Sequence, residues 1–270
     1  MRSVIAHYHT YKNSGTSFDT ILSDNYGNSH LSFDGPFPFM TIGQRELQKV
    51  IHNHPHHVAF SSHQIRLPAP ADAQVRVIPA AFIRHPYLRI KSVYEFAQKH
   101  SNGNAADEWA ANYDLNGWLH KHRENRRMVN INNSQVEIYG GRYEGPAHMI
   151  ASGNAELGFY ATGDVVQAKR NLAATPLLAR TEHFDADVSQ FPGILAQYDI
   201  PFNFSSGVAS NVTDSNHNLP IDERIKGVTE LLDLSNQRWL AAANAHDIEL
   251  YEFAGELINF REKNPRLALL

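Results

Sequence analysis

Lys12 and the short polar residues after it, Asn13, Ser14, Gly15, Thr16 and Ser17, follow directly on an apolar run from Val4 to Tyr8. Phe18, Ile21 and Leu22 then recur at helical spacing. The order reads as strand, tight turn and helix, a junction that aims several backbone N–H groups and the positive end of a helix dipole at one point. With the Lys12 ammonium beside it, this junction is an anion site. It is not a Walker A loop, which places its Lys after the second Gly, whereas Lys12 precedes Gly15. An ordinary kinase or GTPase is thereby disfavoured.

Two further polar groups close strand patterns. Val75 to Ile83 is the strongest of these, apolar on both faces as an interior parallel strand is, and it ends at Arg84-His85-Pro86. Pro86 suits the first turn of a helix, in which Ile90, Val93, Tyr94 and Ala97 make the buried stripe and Arg89 and Ser92 add polar groups. The shorter run Val58 to Ser61 ends in Ser62-His63-Gln64. In parallel sheets ligands sit at the carboxyl ends of the strands. Lys12 to Ser17, Ser61 to Gln64 and Arg84 to Ser92 therefore belong on one rim.

The elements that must place them there alternate. Helices are expected over Ser14 to Leu22, Gln44 to Ile51, Asp107 to Glu124, Val165 to Ala174 with Asp164 as its cap, Phe191 to Tyr198, Ile221 to Leu234 and Ser235 to Phe260. Pro176 to Arg180 reads as another interior strand. Asp24 to Pro38, the Gly-, Ala- and Ser-rich stretch before Asp164, and Ser205 to Pro220 read as loops, and Asn130 to Gly141 is an Asn-rich segment. Strands alternating with helices imply an α/β fold of three layers, with a mainly parallel central sheet flanked by helices. No repeat or linker divides the chain, so residues 1–270 are expected to form a single domain.

Composition narrows the function classes. A formal net charge of −4 gives no basic field, which disfavours duplex nucleic acid as a partner. The absence of cysteine excludes disulfides, thiolate catalysis and Cys-ligated zinc. No apolar run of about 18 residues and no signal-type N-terminus occur, so a cytoplasmic protein without a transmembrane segment is expected. His52, His54, His56 and His57 raise a metal reading. Pro55 breaks any helical pair among them and HExxH is absent, which favours a polar surface loop.

Tyr11-Lys-Asn-Ser-Gly-Thr-Ser17 resembles the 5′-phosphosulfate loop of sulfotransferases, Pro-Lys-(Thr/Ser)-(Gly/Ala)-Gly-Thr-(Ser/Thr). Arg84 to Tyr94 resembles the 3′-phosphate motif of the same family at Arg84, Pro86, Arg89, Ser92 and Tyr94. The likeness is nearest to carbohydrate sulfotransferases of the heparan sulfate 2-O type. Phe60-Ser-Ser-His63 is similar to their strand-ending Gly-His segment, Asn132 to Gly141 to an Asn-x-Gln stretch that closes on Gly, and Asp247 to Tyr251 to the Asp-x-x-Leu-Tyr of the last helix. Tyr11 stands where Pro is usual, Asn13-Ser14 depart within the loop, and His85 replaces a frequent acid.

The resemblance implies transfer of a sulfuryl group from 3′-phosphoadenosine 5′-phosphosulfate (PAPS) to a hydroxyl of a carbohydrate or glycoconjugate. That is an in-line displacement in which the protein supplies position and charge, with no metal required. Lys12 would neutralise charge on the bridging oxygen, Asn13, Ser14, Gly15, Thr16 and Ser17 would form the 5′ cradle, and Arg84 and Ser92 would hold the 3′-phosphate. Arg89 either helps there or braces its helix, and Asn133 and Gln135 either act directly or brace the middle helix. His63 is the expected general base, followed by Glu95, His85 and His9. Trp109 and Trp118 read as core residues that could instead stack on a sugar. Two competing readings stay open: a kinase-like nucleotide-dependent phosphotransferase using the same rim, and a non-enzymatic scaffold.

Overall fold

Strands β1 (Arg2–Tyr8), β2 (His30–Ser32), β3 (Ala59–Ser62), β4 (Val75–Ile83) and β5 (Leu177–Arg180) form one sheet in the order β2-β3-β1-β4-β5, every pair parallel. The computed structural model describes residues 1–36, 41–100, 105–126, 130–141, 163–207 and 218–264. The stretch before Asp164 and most of the segment after Ser205, both read as loops, lie outside these. β1 is central, pairing Tyr8 with Ser62 on one side and Ala81 on the other. Because all strands run the same way, all their carboxyl ends share one rim. The chain fills one side of β1 first and then crosses to the other, which opens a crevice at the end of β1.

Period-two alternation divides the core. Val4, Ala6 and Tyr8 of β1 face a layer made by α2 (Gln44–Asn53), α6 (Ser134–Gly140), α7 (Val165–Ala173) and α12 (Ala245–Lys263). Ile5, with Ile78, Ala80 and Phe82 of β4, faces α1 (Gly15–Tyr26), α8 (Phe184–Val188) and α9 (Phe191–Ala196). The result is the expected three-layer α/β architecture. A third apolar cluster joins α3 (Pro86–Lys99), α4 (Ala105–Asn112) and α5 (Leu115–Glu124) to α10 (Ile221–Glu230) and α11 (Leu234–Ala243). Among the described residues no helix is long and apolar enough to cross a membrane.

Several elements depart from their sequence expectation for local reasons. β2 lies inside the expected loop Asp24 to Pro38; three residues cannot show alternation, and they become a strand because His30 and Leu31 pair with Ala59 and Phe60. The helix expected over Asp107 to Glu124 is two, divided at Asp114, whose carboxylate accepts the N–H of Gly117 at 2.8 Å and starts α5. Ser235 to Phe260 also divides, at Asn244. The Asn-rich segment contains α6, which passes α7 so closely that a methyl on Gly140 would lie 2.2 Å from the Asp164 carbonyl. Asp164 caps α7 as expected, accepting from Val166 and Gln167 at 2.9 and 3.2 Å.

Phe82 is 1% exposed and stacks on Phe184 with ring centroids 5.5 Å apart, with Phe18 and Phe191 completing its surroundings. Replacing it by Ala opens a cavity under the rim and should lower unfolding free energy by about 3–5 kcal/mol. Urea denaturation of Phe82→Ala against wild type measures this.

Candidate functional site

The loop between β1 and α1 turns through two left-handed residues, Lys12 at φ 64° and Ser14 at φ 59°. Neither is Gly, so the surroundings must hold them there. Asn13 lies between them, fully buried, and its side-chain amide donates to the Phe82 carbonyl at 2.6 Å and to Gln135 Oε1 at 2.8 Å. The Asn13 side chain therefore fastens the loop to β4 and α6 and does not face outward. Gly15 begins α1, with the ring of His9 pressed against it; a methyl there would stand 2.0 Å from His9 Cδ2 and 2.2 Å from Nε2. Thr16 is exposed at the first turn, and Ser17 is buried. The Lys12 ammonium rests 4.3 Å from the centre of the Phe96 ring on α3. Burial, and then the neighbouring Arg84, lower its pKa.

Arg84 follows β4 and closes on the same loop, Nη1 donating to the Lys12 carbonyl at 2.9 Å while Nε lies 3.7 Å from Glu182. Gln135 clamps both segments: its Oε1 accepts from Arg84 N as well as Asn13, and its Nε2 donates to the Arg84 carbonyl at 2.8 Å. The start of α6 is itself held by Asp247 of α12, which accepts from Gln135 N and Val136 N at 3.1 and 2.8 Å. Asn133 returns the contact, accepting from the N–H groups of His246 and Asp247. Asn133 and Gln135 are thus braces. Arg89, 1% exposed, donates to the carbonyls of Tyr11 and Asn130 and to Ser134 Oγ, so it too is a strut between the loop and α6. Ser92 lies on α3 with 3% exposure.

His63 stands just beyond β3, its Nδ1 donating to the His9 carbonyl at 3.0 Å. A carbonyl can only accept, so the neutral ring keeps its lone pair on Nε2. Asp34 accepts from the His63 N–H at 3.0 Å and fixes the backbone. Desolvation of the ring and then the neighbouring His9, whose ring centre is 3.8 Å away, hold the His63 pKa below the ordinary imidazole value.

Asp19 of α1 was not singled out in the sequence, nor was His7. Its carboxylate accepts from His7 Nδ1 at 2.7 Å and from His9 Nδ1 at 2.9 Å. Burial alone would raise the carboxyl, but the two imidazoles prevail and hold it far below the usual range. Among the described residues these three are the group with metal-ligand chemistry close together. Both Nδ1 protons are spent on Asp19, so the arrangement is complete as a hydrogen-bonded triad. The signal was present as His-x-His at the end of β1, but only the packing of α1 supplies the carboxylate.

Next to His63 a cleft of about 100 Å³ is lined by His9, Thr10, Arg66, Ser134 and Glu137 among others. Lys12, Arg84 and Ser92 do not line it. Burial and then Asp247 push the Glu137 carboxyl up to about 8. The other candidates lie elsewhere. His85 is held against Tyr87 and Tyr251, with burial lowering it to about 4, and Glu95 pairs with Lys91 at 3.2 Å. In the His52 to His57 cluster, His52 binds Asp72 and His54 binds the Val50 carbonyl, so these two imidazoles serve local contacts. Trp118 is core, 1% exposed.

Gln135→Ala should destabilise the protein by about 1–3 kcal/mol for each buried group left without a partner. Hydrogen exchange should rise at residues 12–15 and at 84–85 together, because one side chain holds both segments.

No family model matches the chain. An uncharacterized protein of Archaeoglobus fulgidus is similar over 256 residues, 25% identical and covering 93% of this chain and 95% of that protein.

Proposed function

We propose that the protein is a sulfotransferase, transferring a sulfuryl group from PAPS to a hydroxyl of a carbohydrate or glycoconjugate. What carries this reading is the meeting of three distant segments on one rim: the Lys12 to Ser17 loop, Arg84 bonded to the Lys12 carbonyl at 2.9 Å, and His63 bonded to the His9 carbonyl at 3.0 Å. Each of the two nucleotide motifs is degenerate alone. Their contact supports reading them as two ends of one phosphate clamp.

In this reading the first-turn amides of α1 and the hydroxyls of Thr16 and Ser17 cradle the 5′ group, and Arg84 with Ser92 takes the 3′-phosphate. Lys12, lowered by burial and by Arg84, leaves Phe96 to neutralise charge on the departing bridging oxygen. The acceptor oxygen attacks sulfur in line, its proton passes to His63 Nε2, and the sulfur–oxygen bond to the phosphate breaks, releasing adenosine 3′,5′-bisphosphate. The cleft beside His63, lined by Tyr8, Tyr11, Ile65 and Ile138 as well as by Thr10, Arg66 and Glu137, is where the acceptor hydroxyl would enter.

The test is titration with adenosine 3′,5′-bisphosphate and with ATP, each with and without Mg²⁺. Selective, metal-independent binding of the bisphosphate, lost in Lys12→Ala and Arg84→Ala, is expected. Tighter ATP binding that depends on Mg²⁺ would favour a phosphotransferase and end this reading. His63→Ala should reduce turnover about 10²–10⁴-fold with nucleotide binding nearly intact. Since His63 acts in its neutral form and its pKa is lowered, activity should persist as pH falls through about 6.5 and be lost only below it.

A further inference from the structure

His9 occupies a position that the reaction described above leaves unused. Asp19 fixes its tautomer through the 2.9 Å bond to Nδ1, and the ring is held between His7, on which it stacks at 5.1 Å, and His63, whose ring lies 3.8 Å away at 40° to it. Its Cδ2–Nε2 edge is thereby held against Gly15, the first residue of α1. A side chain on residue 15 would displace the ring from this place. The charged and titratable groups around it are Asp19 on α1, His7 on β1, His63 after β3 and Asp34 after β2.

A neutral His9 would present a lone pair to an anion in the loop, which is repulsive. A protonated one would present an N–H. Asp19 is suited to support that cation, because its second oxygen already accepts from His7 and its charge is fixed. Without an anion, burial keeps the ring neutral; an anion supplies the second acceptor that protonation needs.

We propose that His9 meets the bound anion as an imidazolium, donating Nδ1–H to Asp19 and Nε2–H to an oxygen of the anion, so that binding draws a proton from solvent. Asp19 is then a positioning residue. The inference rests on the sulfotransferase reading only for the identity of the anion.

Calorimetric titration with adenosine 3′,5′-bisphosphate at about pH 7.5, in two buffers of different ionisation enthalpy, counts the protons taken up. Wild type should take up more than about half a proton and bind more weakly as pH rises through the imidazole range. The uptake should vanish in His9→Gln and persist in His63→Ala. Asp19→Asn should lose the uptake and weaken binding about tenfold. If Asp19 were only background charge, its removal would tighten anion binding, and that result overturns the inference. Side-chain ¹⁵N NMR of the wild type, which needs no variant, should show one histidine becoming doubly protonated on binding. Bisphosphate binding without proton uptake, or uptake that survives in His9→Gln, defeats this inference and leaves the proposed reaction standing. Failure of the bisphosphate to bind defeats both.

Discussion

Three hydrogen bonds from the buried amide of Gln135 tie the end of β1 to the end of β4. The oxygen accepts from Asn13 and from the Arg84 backbone, and the nitrogen donates to the Arg84 carbonyl. Both loops are irregular backbone that must be satisfied away from water, and an amide with donor and acceptor on one plane serves both. Gln135 can do this because Asp247 fixes the start of α6 from a helix more than a hundred residues later. Arg89 adds a second tie through the Tyr11 carbonyl. The left-handed turns at Lys12 and Ser14 persist under these constraints.

Charge is divided across the rim. On the β4 side Lys12, Arg84 and Arg89 lie close enough to lower the pKa of Lys12 and of Arg89, with burial the larger cause in both. Backbone carbonyls and Glu182 offset part of that crowding. On the β3 side the groups are imidazoles around Asp19, with Asp34 behind His63. The loop stands between a cationic half that attracts an anion and an imidazole half that can exchange protons. That division follows from strand order: β1 is flanked by β3 on one side and β4 on the other.

Much of the frame was legible because it rests on local rules. β4, with its long apolar run, and α3, with Pro86 in its first turn, match their expected positions, and Asp164 caps α7 through short-range bonds. β2, α6 and the breaks at Asp114 and Asn244 were not legible. β2 is a strand only through its neighbour β3, and α6 begins where Asp247 caps it from across the molecule. Arg89, Asn133 and Gln135 carried two readings each, because a side chain that binds a ligand and one that braces a loop are the same residue type at the same spacing. The buried partners decide for bracing.

By itself the sequence determined the alternation of strands and helices, and with it a parallel sheet whose carboxyl rim carries Lys12, His63 and Arg84. Periodicity and strand-end chemistry are properties of neighbouring residues, so they survive in one dimension. The tertiary structure alone decided that the Asn13 side chain faces inward, that Gln135 joins two loops, and that Asp19 bridges His7 and His9. These are contacts between elements, set by which helix faces which side of β1, and no local pattern encodes that choice.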